Sequence, residues 1–297
     1  MTPDMPAEPS PRLFCFGLGY SAAALVAELQ PAGWRIAGTC RSTEKQAGLA
    51  KAGIEAFRFA RDAPLVDPAA ALAGTTHLLV SVPPDAAGDP VLDHHAAAIA
   101  GLTGLAWAGY LSTTGVYGDR AGGWVDETSA LTPTTERGRR RLAAEQSWRE
   151  LWRRHQVPVH LFRLAGIYGP GRSQLDAVRA GTAQRIDKPG QVFSRIHVAD
   201  IAAVLLASMA RPNPGAAYNV CDDEAAAPEA VVAYACDLLG VKPPPLVPFA
   251  AARLSPMGRS FYEDNKRVSN GLIKSELGVR LRYPSYREGL RALLAAE

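Results

Sequence analysis

RLFCFGLGYSAAAL, residues 12–25, decides how this chain is read. An apolar run ends at Gly17, a second glycine follows at Gly19, and Ala22 lies at the start of a stretch of helix formers. Gly-x-Gly-x-x-Ala between a strand and a helix lets a backbone come close to a pyrophosphate. The first glycine permits the tight turn, the second leaves room for the phosphates, and the small third residue lets helix and strand pack closely. The N–H groups that open the helix then face the anion. Gly17, Gly19, Tyr20, Ser21 and Ala22 are therefore the expected contacts of a dinucleotide.

Working outward, short apolar runs alternate with longer amphipathic ones as far as about residue 165. Strands are predicted at 12–17, 34–40, 54–59, 76–82, 109–113 and 159–165, with helices such as SAAALVAELQ and RRLAAEQSWRELWRRH between them. That alternation predicts an α/β fold, a doubly wound parallel sheet of the Rossmann kind. After residue 165 the pattern loosens and proline-rich stretches such as KPPPLVP interrupt it. The expected organisation is a tail over 1–11, a dinucleotide-binding domain over 12–165 to which 198–221 returns, and a smaller substrate lobe over most of 166–297.

The end of the second strand bears on cofactor choice. An NAD-binding chain usually offers a carboxylate there to the ribose hydroxyls. This one offers Arg41 and Ser42, which suit a 2′-phosphate by a bidentate guanidinium and a hydroxyl. NADP is expected ahead of NAD, with Val82 and Pro83, at the end of the fourth strand, completing the cofactor contacts.

Composition narrows the field further. Hydrophobic residues make up 47% and charged residues 21% of 297, as in folded globular chains. A net charge of +3 is too small to mark a nucleic-acid binder, and no apolar run reaches the length of a membrane helix. The four cysteines are scattered, which fits a reducing cytoplasm. The six histidines include no metal-binding spacing, and no metal is expected.

Three further strings resemble the extended, epimerase/dehydratase-like branch of the short-chain dehydrogenase/reductase superfamily: LSTTGVYGD (111–119), LAGIYGPGR (164–172) and RIHVADIAAV (195–204). The resemblance implies a Ser or Thr after the fifth strand, matched by Thr113, and a Tyr-x-x-x-Lys on the following helix. In that pair the ammonium makes the phenol acidic enough to exchange a proton near neutrality. Here the helix carries Arg137 and Arg141 at the two positions, and no lysine occurs between Lys51 and Lys188. The chain therefore resembles the atypical members. One Tyr-x-x-x-Lys does occur, at Tyr262 and Lys266, but it is expected to be accidental and remote from that helix. Tyr117 and His197 are the other candidates for proton transfer, and Tyr168, Arg172 and Arg195 for holding substrate, the arginines as anion ligands.

Two functions stay open. One is an NADP-dependent oxidoreductase or epimerase-like enzyme on a small polar or nucleotide-linked substrate. The other is a non-catalytic NADP-binding redox sensor or regulator that has lost the proton relay. The expected partner is a small molecule or none, without nucleic acid or membrane, and a homodimer is compatible with the sequence.

Overall fold

The computed structural model describes residues 10–296, so most of the expected tail lies outside the described residues. Its strands are β1 (Arg12–Phe16), β2 (Arg35–Cys40), β3 (Glu55–Arg58), β4 (His77–Val80), β5 (Trp107–Thr113), β6 (Trp124–Val125) and β7 (Val159–Leu164). There follow β8 (Gly166–Tyr168), β9 (Arg185–Asp187), β10 (Arg195–His197), β11 (Ala217–Val220), β12 (Leu246–Pro248) and β13 (Arg267–Val268). Seven of them form a parallel sheet in the order β11-β7-β5-β4-β1-β2-β3, and the rest make two-stranded pairs, β10 with β8, β12 with β9 and β13 with β6.

The helices are α1 (Tyr20–Leu29), α2 (Thr43–Lys51), α3 (Pro68–Leu72), α4 (Pro90–Ala100), α5 (Glu136–His155) and α6 (Gln174–Arg179). After them come α7 (Val198–Ala210), α8 (Pro228–Leu238), α9 (Pro256–Ser260), α10 (Gly271–Ser275) and α11 (Tyr286–Ala295). Among the described residues no helix is long and apolar enough to cross a membrane.

Alternation within β1 explains why the sheet is covered twice. Leu13 and Cys15 pack with α1 and α7 residues such as Leu25 and Ile201, whereas Phe14 and Phe16 pack on the other face with Val91, Ile99 and Trp148 of α4 and α5. A strand buried on both faces reads as a continuous apolar run, which is how most of the six expected strands could be seen, although the edge strand β3 is half exposed. The seventh, β11, was not among them. Its four residues, with Asn219 in the middle, are recruited by parallel pairing to β7 rather than by a pattern of their own.

The strand order reverses at β1, which lies between β4 and β2. Ligands of doubly wound sheets bind at the carboxyl edge of such a reversal. Here that edge holds the loops after β1 and β4, residues 17–19 and 81–89.

Burial also sets a pH dependence. His160, fully buried on β7, accepts the Asn213 N–H at Nε2 (2.9 Å), so Nδ1 carries the proton toward Ala108 O (3.3 Å) and the ring is held neutral. Desolvation lowers its pKa from 6.5 to about 4. A depressed histidine contributes stability above pH 6.5 that is lost as pH falls from 6.5 toward 4, here by up to about 3 kcal/mol. Urea midpoints of wild type and His160→Gln should therefore converge across that window, and a difference that stays constant with pH would refute the linkage.

Candidate functional site

Gly17 has φ +86, and a Cβ there would stand 2.8 Å from Ser81 Oγ. Its N–H donates to Thr39 Oγ1 at 2.8 Å, so the turn is held between β2 and β4. Gly19 differs. It is the N-cap of α1 with ordinary extended φ and ψ, and the nearest atom to an added Cβ is Ser81 Oγ at 4.0 Å. No side chain caps α1 and no acidic residue lies in its first turn. The result is an open space in front of a helix N-terminus, which a Cβ would begin to fill and a pyrophosphate suits.

Ser21 and Ala22 are buried behind this turn, and Tyr20 reaches forward to donate its hydroxyl to Pro170 O at 3.0 Å. Arg41 and Ser42 lie exposed after β2, with Ser42 capping α2 by accepting the Lys45 N–H at 3.2 Å. Lys45, not foreseen from the sequence, extends its ammonium to Leu18 O at 2.5 Å, above the glycine loop. Val82 borders Gly17, while Pro83 is exposed. Arg61 fastens the loop that follows them by ion pairs to Asp85 and Asp93.

Beside this cradle lies a cavity of about 640 Å³. Of the residues singled out in the sequence, Thr113, Tyr168, Arg172 and Arg195 line it. The cavity and the cradle share a wall, because the Arg172 guanidinium lies 5.8 Å from the centre of the Tyr20 ring. Thr113 Oγ1 accepts the Gly115 N–H at 3.1 Å, so this hydroxyl both caps the short 3-10 turn at 114–117 and faces the cavity. Arg195 donates to the carbonyls of Phe193 (2.8 Å) and Ala226 (3.2 Å), and among the described residues it has no ion-pair partner. Asp222, pushed up to about 8 by burial, acts on it electrostatically without touching it.

Tyr117 and His197 are elsewhere. Tyr117 is fully buried, its hydroxyl donating to Asn219 Oδ1 (2.7 Å) and accepting from Arg163 (2.9 Å) behind the cavity wall. Burial raises its pKa, which further unsuits it for proton exchange. His197 caps α7 by accepting the Ala199 N–H at 3.2 Å and packs between Tyr168 and Tyr283, and desolvation lowers its pKa to about 4. Both are placed by the core.

The two arginines on α5 part company. Arg137 lines the cavity with its guanidinium 4.5 Å from the centre of the Phe261 ring. Arg141 turns to the sheet and donates to Tyr110 Oη (3.0 Å) and Leu111 O (2.9 Å).

The expectation that Tyr262 and Lys266 lie far from α5 needs correcting. Pairing of β13 with β6 returns the segment 261–268 to the loop after β5, and both residues line the cavity. They do not act as a couple, however. The Lys266 ammonium is held by Gly118 O (2.9 Å) and Asp264 Oδ2 (3.0 Å), and the Tyr262 phenol is made less acidic by burial, with Glu229 and Arg195 as its charged neighbours.

The NAD dependent epimerase/dehydratase family matches residues 95–221. A conserved protein of unknown function from Silicibacter pomeroyi is 53% identical, with 97% of this chain and 99% of that one covered and a TM-score of 0.89. That family match covers part of the chain, 127 of its 297 residues. Its fold also matches UDP-glucuronic acid 4-epimerase of Bacillus cereus, solved with UDP-glucuronic acid and NAD, at 14% identity and TM-score 0.78, covering 96% and 98% of the two chains. The dTDP-glucose 4,6-dehydratase of Bacillus anthracis, solved with NAD, matches at 14% identity and TM-score 0.74 over 97% and 96%. No curated protein sequence matches it. This chain brings its cavity-lining cations from α5 (Arg137), the loop before α6 (Arg172), β10 (Arg195) and the segment before β13 (Lys266).

Proposed function

We propose that the protein is an NADP-dependent oxidoreductase or epimerase-like enzyme acting on a small polar substrate that carries an anionic group. The observation that carries this reading is the shared wall between the open cradle at Gly19 and a cavity holding both Thr113 and Arg195. Gly17, Gly19 and the start of α1 would hold the pyrophosphate, and Arg41, Ser42 and Lys45 the 2′-phosphate. When bound, the dinucleotide supplies or accepts a hydride. Thr113 would hydrogen-bond the reacting oxygen, and Arg195, half-buried in the cavity wall with no ion pair to a carboxylate among the described residues, would hold the substrate's phosphate or carboxylate. Tyr168 and Arg172 would complete that end of the cavity. A sensor without catalysis is favoured by one observation, the absence of a phenol on α5.

The test is a titration. Arg41→Asp should weaken NADPH binding about tenfold or more while changing NADH binding about twofold at most, because it replaces a phosphate partner by a repelling charge. Equal losses for the two cofactors would remove Arg41 from the 2′-phosphate site. Wild type preferring NADH would refute the NADP reading altogether.

A further inference from the structure

The cavity has no phenol on α5 that could exchange a proton, so any such group must come from the rest of its wall. Arg137 cannot deprotonate in a protein. Tyr262 has its phenol pushed up by burial and no lysine beside it. Asp264 accepts from both Thr134 and Lys266, and Asp176 is used in the capping box of α6. Lys266 remains.

We propose that Lys266 is the proton-transfer residue of this site, an inference that rests on the oxidoreductase reading above. Lys266 is only 9% exposed, yet it lines the cavity with Thr113, Thr114 and Gly115. An ammonium has three N–H groups. Two are directed by Gly118 O and Asp264 Oδ2, and the third has no acceptor among the described residues. Gly118 closes the 3-10 turn that Thr113 opens, so the lysine nitrogen and the threonine hydroxyl are anchored to one short loop. That arrangement offers a single substrate oxygen two hydrogen bonds. Asp264 is itself fixed by Thr134 at the start of α5, so the lysine is oriented from two sides.

The charges around the nitrogen compete. Desolvation lowers its pKa and is the largest influence; Asp264 on its own segment and Asp119 of the loop after the 3-10 turn oppose it, and Arg120 of the same loop assists it. From α5, Arg137 faces the same cavity and disfavours a second positive charge there. Burial thus makes this ammonium release its proton more readily than one in water, whose pKa is about 10.4.

In reduction, the carbonyl carbon receives a hydride from the dihydronicotinamide, the π pair moves to oxygen, and that oxygen takes a proton from the Lys266 ammonium. An alcohol and a neutral amine result, and solvent reprotonates the amine. In oxidation the amine removes the hydroxyl proton as hydride leaves carbon for the oxidised nicotinamide.

The decisive variant is Lys266→Arg, which keeps the charge and can still donate to Gly118 O but cannot release a proton. Turnover is measured with NADPH and a panel of phosphorylated and carboxylated aldehydes and ketones. Expected are a kcat lowered about a hundredfold or more, unchanged NADPH affinity and a Tm close to wild type. Near wild-type kcat in Lys266→Arg would make the lysine a strut for the loop and overturn the proposal. A second measurement needs neither variant nor activity: the pH dependence of Lys266 acylation in the cofactor-free wild type, followed by mass spectrometry. The amine should become reactive at a lower pH than a free lysine side chain does, and reactivity at or above that pH overturns the proposal. Tight NADPH binding with no turnover by wild type on any panel member refutes the oxidoreductase reading and the lysine's role with it, whereas an active Lys266→Arg refutes the lysine alone.

Discussion

Glu145→Ala is expected to lower the free energy of unfolding by about 3–5 kcal/mol, the cost of leaving a buried charge without its partner. Glu145 of α5 and Arg163 of β7 are both 1% exposed. The Arg163 guanidinium donates to Glu145 Oε2 from Nη2 (2.9 Å) and to both carboxylate oxygens from Nε (3.2 and 3.3 Å), and its Nη1 donates to Tyr117 Oη (2.9 Å). Ser112 Oγ donates to Glu145 Oε1 at 2.5 Å, which ties the carboxylate to the strand that ends in Thr113. Removing the carboxylate would strand the guanidinium, orphan the serine and leave a void. Urea unfolding measures the loss. A double variant, Glu145→Leu with Arg163→Met, should recover most of it, because replacing both charges by apolar groups of similar volume avoids the uncompensated ion. A cost below about 1 kcal/mol for Glu145→Ala would mean that water reaches this pair and that the network does not support the end of β5.

The same network shows why Tyr117 could not be placed from the sequence. Its position after the fifth strand is right for a cavity residue, but the 3-10 turn at 114–117 rotates its ring into the core, onto Arg163 and Asn219. Only the tertiary partners reveal that direction. Local signals were legible: the glycine loop and the six expected strands are each set by residues within a few positions of one another, and in the central strands such as β1 twofold burial writes a continuous apolar run. What escaped depends on contacts between distant segments. Strand β13 is two residues long and pairs with β6 more than a hundred residues earlier, with no periodicity to announce it. That pairing, with hydrogen bonds from the segment to Asp119 and Gly118, brings Tyr262 and Lys266 to the cavity. Lys45 could have been found, since it sits three residues after the N-cap Ser42, on the turn that a 2′-phosphate would face.

Gly19→Val is expected to weaken both NADPH and NADH by at least about a hundredfold, some 2.7 kcal/mol, with little change in Tm. The two glycines of the loop make different experiments. At Gly17 the positive φ of +86 and Ser81 Oγ at 2.8 Å mean that any side chain strains the turn, so lost binding there would only report a damaged fold. Gly19 has φ −91 and ψ −165, which valine adopts readily, and no atom nearer than 4.0 Å to its added Cβ. The protein thus tolerates the side chain, and what the branched methyls take is the space in front of the α1 N–H groups. A pyrophosphate held by those groups would have to move outward by about the size of a methyl group, which weakens every N–H contact at once. Gly19→Ala should fall between wild type and valine, because one carbon fills part of the same space. Both cofactors lose equally, since the change touches what NADH and NADPH share; a loss confined to NADPH would mean that the pyrophosphate lies elsewhere and that Gly19 borders the ribose phosphate instead.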